Sequence, residues 1–255
     1  MGSPQFQRIK LSRSGTTAVL ALASDKVNAL DLEVLRELST CVDHCEEDPA
    51  VDVLVVTGEG SVFSAGLNVS QVLGNDTSYT DALLDALTRA FVRLFRCSKP
   101  TVAAINGAAI AGGCLLALTC DKRLIAEEAR IGVTELRVGV AFPIVAVELL
   151  RHACGPRAER LMLDATLLDA EGACQAGLAH LKMPRSELND AAMAAAAELA
   201  SFDARAYALA KAASRRVALS AMEDAGSRAI EPQVRAHWRD GATRDNLEQL
   251  LKPKG

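Results

Sequence analysis

Two glycine-bearing segments and one carboxylate carry the residue types and spacing that could do chemistry. Phe63-Ser64-Ala65-Gly66-Leu67 follows an apolar run, and Ile105-Asn106-Gly107-Ala108-Ala109-Ile110-Ala111-Gly112-Gly113-Cys114 leads into another. Glycine just ahead of a helix lets a ligand approach the free N–H groups of the first turn, where the helix dipole favours negative charge. An oxyanion suits such a place better than a phosphate. The second segment is not GxGxxG, and it lacks the lysine and hydroxyl that complete GxxxxGK[ST]. The alternative is that Gly112-Gly113 only permits close helix packing. Glu135 lies in Arg130-Ile131-Gly132-Val133-Thr134-Glu135-Leu136-Arg137-Val138-Gly139-Val140, just past a strand end and among apolar residues. Burial there would raise its pKa toward that of a useful base. An ion pair with Arg130 or Arg137, or a capping role, is the competing reading. The four histidines give no triad: His44 and His237 sit in charged stretches, His152 follows Arg151, and no serine is presented in GxSxG.

The elements that must position these residues alternate in the first half. Gln7 to Leu11 and Thr17 to Ala23 read as a hairpin about Ser14-Gly15. Leu30, Leu35, Leu38 and Val42 recur at helical spacing, with Asp31 and Glu33 suited to a first turn. Val51 to Thr57 predicts a buried strand and Asp81 to Cys97 a helix stopped by Lys99-Pro100. A strand over Thr101 to Ile105, a helix over Gly112 to Cys120 and a strand over Lys122 to Ala126 follow. Strands spaced by helices imply right-handed βαβ crossovers and a parallel sheet, hence an α/β fold. After Pro143 the pattern turns helical, with alanine-rich runs at Asp190 to Ala200 and Ala204 to Ala213 and a short strand within Leu178 to Met183. Trp238, Leu247, Leu250 and Leu251, on charged helices, suit an outer layer packed on the core or on a neighbouring subunit.

Composition narrows the partners. With 255 residues, half of them hydrophobic, the chain needs no disulfide or metal to complete a core. Lys+Arg 28 against Asp+Glu 32 leaves a net charge of −4 and no basic cluster, so neither nucleic acid nor a membrane surface is expected as a partner. The seven cysteines form no CxxC pair and sit in apolar runs, which predicts buried free thiols in a reducing compartment, the cytoplasm by default. Cys41, His44 and Cys45 share one stretch, but no second cluster completes a ligand set, so no metal site is expected. Residues 100 to 120 carry no charge before Asp121, yet Pro100, Asn106, Gly107, Gly112 and Gly113 divide the run into strand, turn and helix and argue against a membrane span. Met1 to Gln5 lacks the basic and apolar regions of a signal peptide.

The ordered set Asn28-Ala29-Leu30, Phe63 to Leu67, Ala111-Gly112-Gly113-Cys114, Ala117-Leu118-Thr119-Cys120-Asp121, Glu135 and Gly139 resembles the enoyl-CoA hydratase/isomerase (crotonase) family across residues 6 to 250. The resemblance implies a crotonase-like spiral of ββα units over residues 1–195 and a helical C-terminal trimerisation region over 196–255, giving homotrimers or hexamers. It places an oxyanion hole on the backbone N–H groups of Leu67 and Gly112. An acyl-CoA would bend between the loop at Lys26, Val27 and Ala29 and the loop at Ala65, Gly66 and Leu67, with Gly113 and Leu115 beside it. Coenzyme A would be part of the substrate, and no separate cofactor is implied. Hydratases of the family carry two glutamates. The first position is Leu115 here, and the second is Glu135. That pairing, with Pro143, resembles the Δ3,Δ2-enoyl-CoA isomerase branch, in which one glutamate shifts a double bond. Asn68 stands where the family usually has Asp. Hydration, dehydration or decarboxylation on the same oxyanion hole, or acyl-CoA binding without turnover, are the alternatives. The lining expected for an acyl tail is Val69, Val72, Leu73, Leu83, Leu84 and Leu87.

Overall fold

The hairpin that starts the chain sets the first edge of a sheet. β1 (Ile9–Ser14) and β2 (Thr17–Leu22) pair antiparallel with Ser14 opposite Thr17 across a two-residue turn. In this computed structural model, which describes residues 6–252, Met1 to Gln5 lie outside the described residues. The helical spacing of apolar residues that predicted the next helix produces α1 (Leu32–Glu47), whose buried stripe is Val34, Leu35, Leu38, Cys41, Val42 and Cys45. Asp31 is its N-cap rather than a first-turn residue: its carboxylate accepts the Val34 N–H at 2.9 Å.

From there the chain repeats one unit. β3 (Val53–Gly58) and β4 (Val62–Ser64) precede α2 (Val69–Gly74) and α3 (Thr77–Arg96). β5 (Thr101–Ile105) and β6 (Ala108–Ile110) precede α4 (Gly112–Leu118). β7 (Lys122–Ala126) and β8 (Ile131–Gly132) precede a 3₁₀ turn at Glu135–Val138 and α5 (Ile144–Cys154). The first strand of each unit joins one sheet and the second joins another. With α6 (Ala158–Leu163), β9 (Leu167–Leu168), α7 (Ala170–Ala176) and β10 (Leu181–Met183) added, the two sheets run β1-β2-β3-β5-β7-β10 and β4-β6-β8-β9. Pairing from β2 through β10 in the first sheet is parallel, and so is β4-β6-β8 in the second. This is the expected α/β architecture of ββα units. The uncharged run from Pro100 is divided among β5, β6 and α4, and among the described residues no helix is long and apolar enough to cross a membrane.

α8 (Arg185–Ala200) spans the expected division at residue 195 and buries Leu188, Ala192, Ala195 and Ala196 against β3, β5 and β7, so the core continues to the end of that helix. α9 (Ala204–Glu223), α10 (Ala225–Arg239) and α11 (Gly241–Leu251) complete the C-terminal helical region. α9 is anchored by a buried ion cluster in which Asp121 meets Lys211 at 2.7 Å and Arg215 at 2.5 Å. All seven cysteines are free, six of them buried and Cys174 half-buried.

Candidate active site

The two glycine-bearing segments come together at the start of α4. The chain turns sharply at Ala111 (φ 52°, ψ −122°), a conformation that costs a non-glycine residue about 1–3 kcal/mol and is held by the Ala111 N–H donating to Gly132 O at 2.8 Å. Gly113 must be glycine, because a Cβ there would lie 2.1 Å from the Ser64 carbonyl oxygen. Gly66 (φ 90°) needs the same freedom: its Cβ would meet Ile110 O at 2.9 Å and Gly112 N at 3.1 Å. A Cβ built on Gly112 would sit 3.5 Å from Gly66 Cα and 3.7 Å from Leu67 N. The backbone amides of Leu67 and Gly112 therefore face one small space. Among the described residues neither N–H donates to a protein acceptor.

The segment from Val27 to Leu30 fixes the first of these amides. Ala65 N–H donates to Val27 O (3.0 Å), Leu30 N–H to Gly66 O (2.8 Å) and Asn68 N–H to Leu30 O (2.9 Å). Asn28, itself at φ 50°, donates through Nδ2 to Glu59 O and Val62 O, while Ser64 Oγ donates to Asn28 O at 2.8 Å. Lys26 and Val27 are exposed and Ala29 is buried, on the outer side of the loop that carries Ala65 to Leu67. These three, Gly66 and Gly113 do not line the cavity described next.

A cavity of about 290 Å³ opens beside the paired amides. Of the residues singled out in the sequence, Ala65, Leu67, Gly112, Leu115 and Glu135 line it. Glu135 begins the 3₁₀ turn and is buried, with Oε2 lacking any hydrogen-bond partner among the described residues. Burial pushes its carboxyl up from the ordinary 4.5 to about 7, and the backbone N–H groups of Glu135 and Thr134 only partly offset that. Among the described residues Glu135 makes no ion pair with Arg130 or Arg137, and Arg137 is exposed. Among the described residues Glu135 is the one titratable side chain on the wall, and Leu115, one turn into α4, is 2% exposed.

The apolar lining differs in part from the expected one. Val69, Leu84 and Leu87 face the cavity, but Val72 and Leu83 are turned into the core and Leu73 packs at its margin, because α2 and α3 each present only one stripe inward. The sequence reading did not place Val138, Val140, Trp238, Leu247 and Leu250 here, and they line the wall together with Ile110, Ala111, Thr134 and Pro143. α10 and α11 thus fold back over this site within the same chain. Trp238 Nε1 donates to Ala141 O at 2.9 Å, His237 Nε2 to Gly139 O at 2.8 Å, and Glu231 accepts the Ile144 N–H at 3.1 Å. On the opposite wall Arg244 donates to Leu73 O at 2.8 Å. The turn carrying Glu135 is clamped by helices whose only sequence signal was amphipathicity.

The spiral of ββα units, carrying two unpaired backbone amides and a desolvated carboxylate beside an apolar chamber, is a crotonase-type fold. The chain belongs to the enoyl-CoA hydratase/isomerase family, whose model matches residues 13–245. It is 30% identical over 245 residues to the human mitochondrial enoyl-CoA delta isomerase 1, covering 93% of this chain and 81% of that one. A putative enoyl-CoA hydratase of Thermus thermophilus is 35% identical over 197 residues, covering 75% and 77%. The crystal structure of human mitochondrial delta3-delta2-enoyl-CoA isomerase superposes with a TM-score of 0.90 at 28% identity, covering 96% of this chain and 97% of that one.

Proposed function

We propose that this protein is an enoyl-CoA isomerase that converts 3-enoyl-CoA to 2-enoyl-CoA with Glu135 as its single acid and base. The observation that carries this reading is Leu115 and Glu135 on one otherwise non-titratable wall. The Glu135 carboxylate takes a proton from C2 of the 3-enoyl thioester. The freed electron pair moves toward the thioester oxygen, giving a dienolate whose oxyanion accepts hydrogen bonds from the N–H groups of Leu67 and Gly112. Donors preorganised in this way contribute roughly 3 kcal/mol each to the transition state. The protonated Glu135 returns the proton at C4, the double bond comes to lie between C2 and C3, and no atom is gained or lost. A carboxyl titrating at about 7 suits both halves of this cycle near neutrality. Coenzyme A enters and leaves as part of the substrate, and the exposed loop at Lys26 and Val27 is the side from which it approaches Leu67.

Relatives that carry the name hydratase favour a second reading, water addition to a 2-enoyl-CoA. Against it, the side chain of Leu115 can neither orient water nor deliver a proton. Offering 3-enoyl-CoA and 2-enoyl-CoA separately to the wild type and to Glu135→Gln decides between them. Appearance of the conjugated thioester without change of mass, lost in Glu135→Gln, supports the isomerase. Water addition at a comparable rate would overturn it.

For assembly we propose a homotrimer or a dimer of trimers built on the C-terminal helices. Leu209 and Val217 on α9 are 64% and 66% exposed, two turns apart on a helix otherwise anchored to the core. The free thiols fit a reducing compartment, and the cytoplasm is the one we assign.

A further inference from the structure

The cavity has a mouth and a floor. On its lining Ala65 and Leu250 are exposed and Leu67 is half-buried, whereas Leu84, Leu87, Val140, Trp238 and Leu247 are all at or below 5% exposure. An acyl chain whose carbonyl oxygen rests on Leu67 and Gly112 must therefore run inward past Glu135 toward Trp238. The indole there is a fixed wall. Its single polar group is spent on Ala141 O, and the strand of chain behind it is tied down at Gly139 and Ile144 by His237 and Glu231. Beyond Thr134 and Glu135 the described residues of the lining offer no free polar side chain, so a hydroxylated or carboxylated tail would be left unpaired on the floor.

Volume sets the length. At the roughly 30 Å³ that a water-sized group occupies in a liquid, about 290 Å³ holds about ten non-hydrogen atoms. Sulfur, the carbonyl carbon and its oxygen use three, leaving room for C2 to about C8. We propose that this chain selects unsubstituted medium-chain acyl groups of about six to eight carbons, with Trp238 as the residue that limits their length. The proposal rests on the acyl-CoA reading of the site but not on the isomerisation itself.

Binding of saturated acyl-CoAs, which cannot be isomerised, tests it. Dissociation constants for butanoyl-, hexanoyl-, octanoyl- and dodecanoyl-CoA are measured by calorimetry on the wild type, Trp238→Ala and Val69→Phe. The wild type is expected to bind octanoyl-CoA about tenfold or more tighter than dodecanoyl-CoA, a discrimination in the range that misfit methylenes produce. Trp238→Ala should bring the two ligands to within about threefold, and Val69→Phe, whose ring fills the half-buried side of the chamber, should move the optimum to hexanoyl-CoA or shorter. Equal wild-type affinity for octanoyl- and dodecanoyl-CoA would overturn the assignment. So would an unchanged ratio in Trp238→Ala that melts cooperatively, or, where that variant does not fold, an unmoved optimum in Val69→Phe. If no acyl-CoA binds, the acyl-CoA reading itself falls. If the length selectivity is found without double-bond migration, only the isomerase reading falls.

Discussion

The desolvation that makes Glu135 a base near neutrality must also appear as a stability cost at high pH, and Glu135→Gln isolates it. The folded carboxyl titrates at about 7 against 4.5 in the ordinary state, and it is 9% exposed, so solvent screening removes little of the effect. Its folded pKa is raised. Stability from this group is then complete below 4.5, where both states are protonated, and is lost between 4.5 and 7, where the unfolded chain ionises and the folded one resists. Linkage puts the loss at about 1 kcal/mol at pH 5 and about 3 kcal/mol at pH 8. Glutamine keeps the shape and never ionises. Urea unfolding of both proteins at the two pH values should therefore show Glu135→Gln gaining about 2 kcal/mol relative to wild type on going from pH 5 to pH 8. Taking the difference between pH values cancels whatever the amide does to local packing. A gap that stays constant, or one that moves in favour of the wild type, would mean that Glu135 is not desolvated, and the assignment of its role would lose its physical basis.

The same titration predicts that wild-type kcat/KM for a 3-enoyl-CoA rises with pH through about 7 and then levels, since the free enzyme must present the carboxylate; a pH–rate profile checks it. Gly112→Ala should fold, because its methyl meets Leu30 Cδ1 at 3.4 Å and Leu67 N at 3.7 Å, yet that methyl occupies the space between the paired amides and should lower kcat about a hundredfold or more in a steady-state assay. Gly113→Ala instead drives a methyl to 2.1 Å from the Ser64 carbonyl oxygen and should show in thermal melting as a loss of several degrees or as insoluble protein. Asp121→Asn leaves Lys211 and Arg215 buried without their counter-charge and should cost about 3–5 kcal/mol in denaturant unfolding.

What could be read from the sequence follows from where the signal is local. β5 and β7 fall on the expected spans residue for residue, since each is a short apolar run between clear breakers. α3 begins at Thr77, four residues earlier than expected, because its first turn is set by the Asp76 side chain capping Tyr79 N–H and not by apolar spacing. The second sheet was invisible as strands: β6, β8 and β9 are two or three residues long, and Ala108-Ala109-Ile110 reads as a loop until a partner strand pairs with it. Among the site residues, the glycine segments and Glu135 were legible from their types. The roof was not, because Trp238 and Ala141 are 97 positions apart and only the fold brings them together.

Leu115 has two consequences that pull the same way. A second carboxylate at that position would organise water, and it would also place a polar, hydratable group against Glu135. With leucine there, and with α10 and α11 closing the chamber in Trp238 and Leu247, Glu135 Oε2 faces a surface that offers it no donor. Leucine at 115 and the raised carboxyl at 135 thus belong to one apolar packing. On the proposed isomerase reading, a proton accepted by Glu135 would meet no competing base among the described residues of the wall, and C4 of the dienolate would be its acceptor. The roof built by the C-terminal helices would then serve the proposed chemistry twice, by adding to the burial that raises the carboxyl's pKa and by keeping its proton for the substrate.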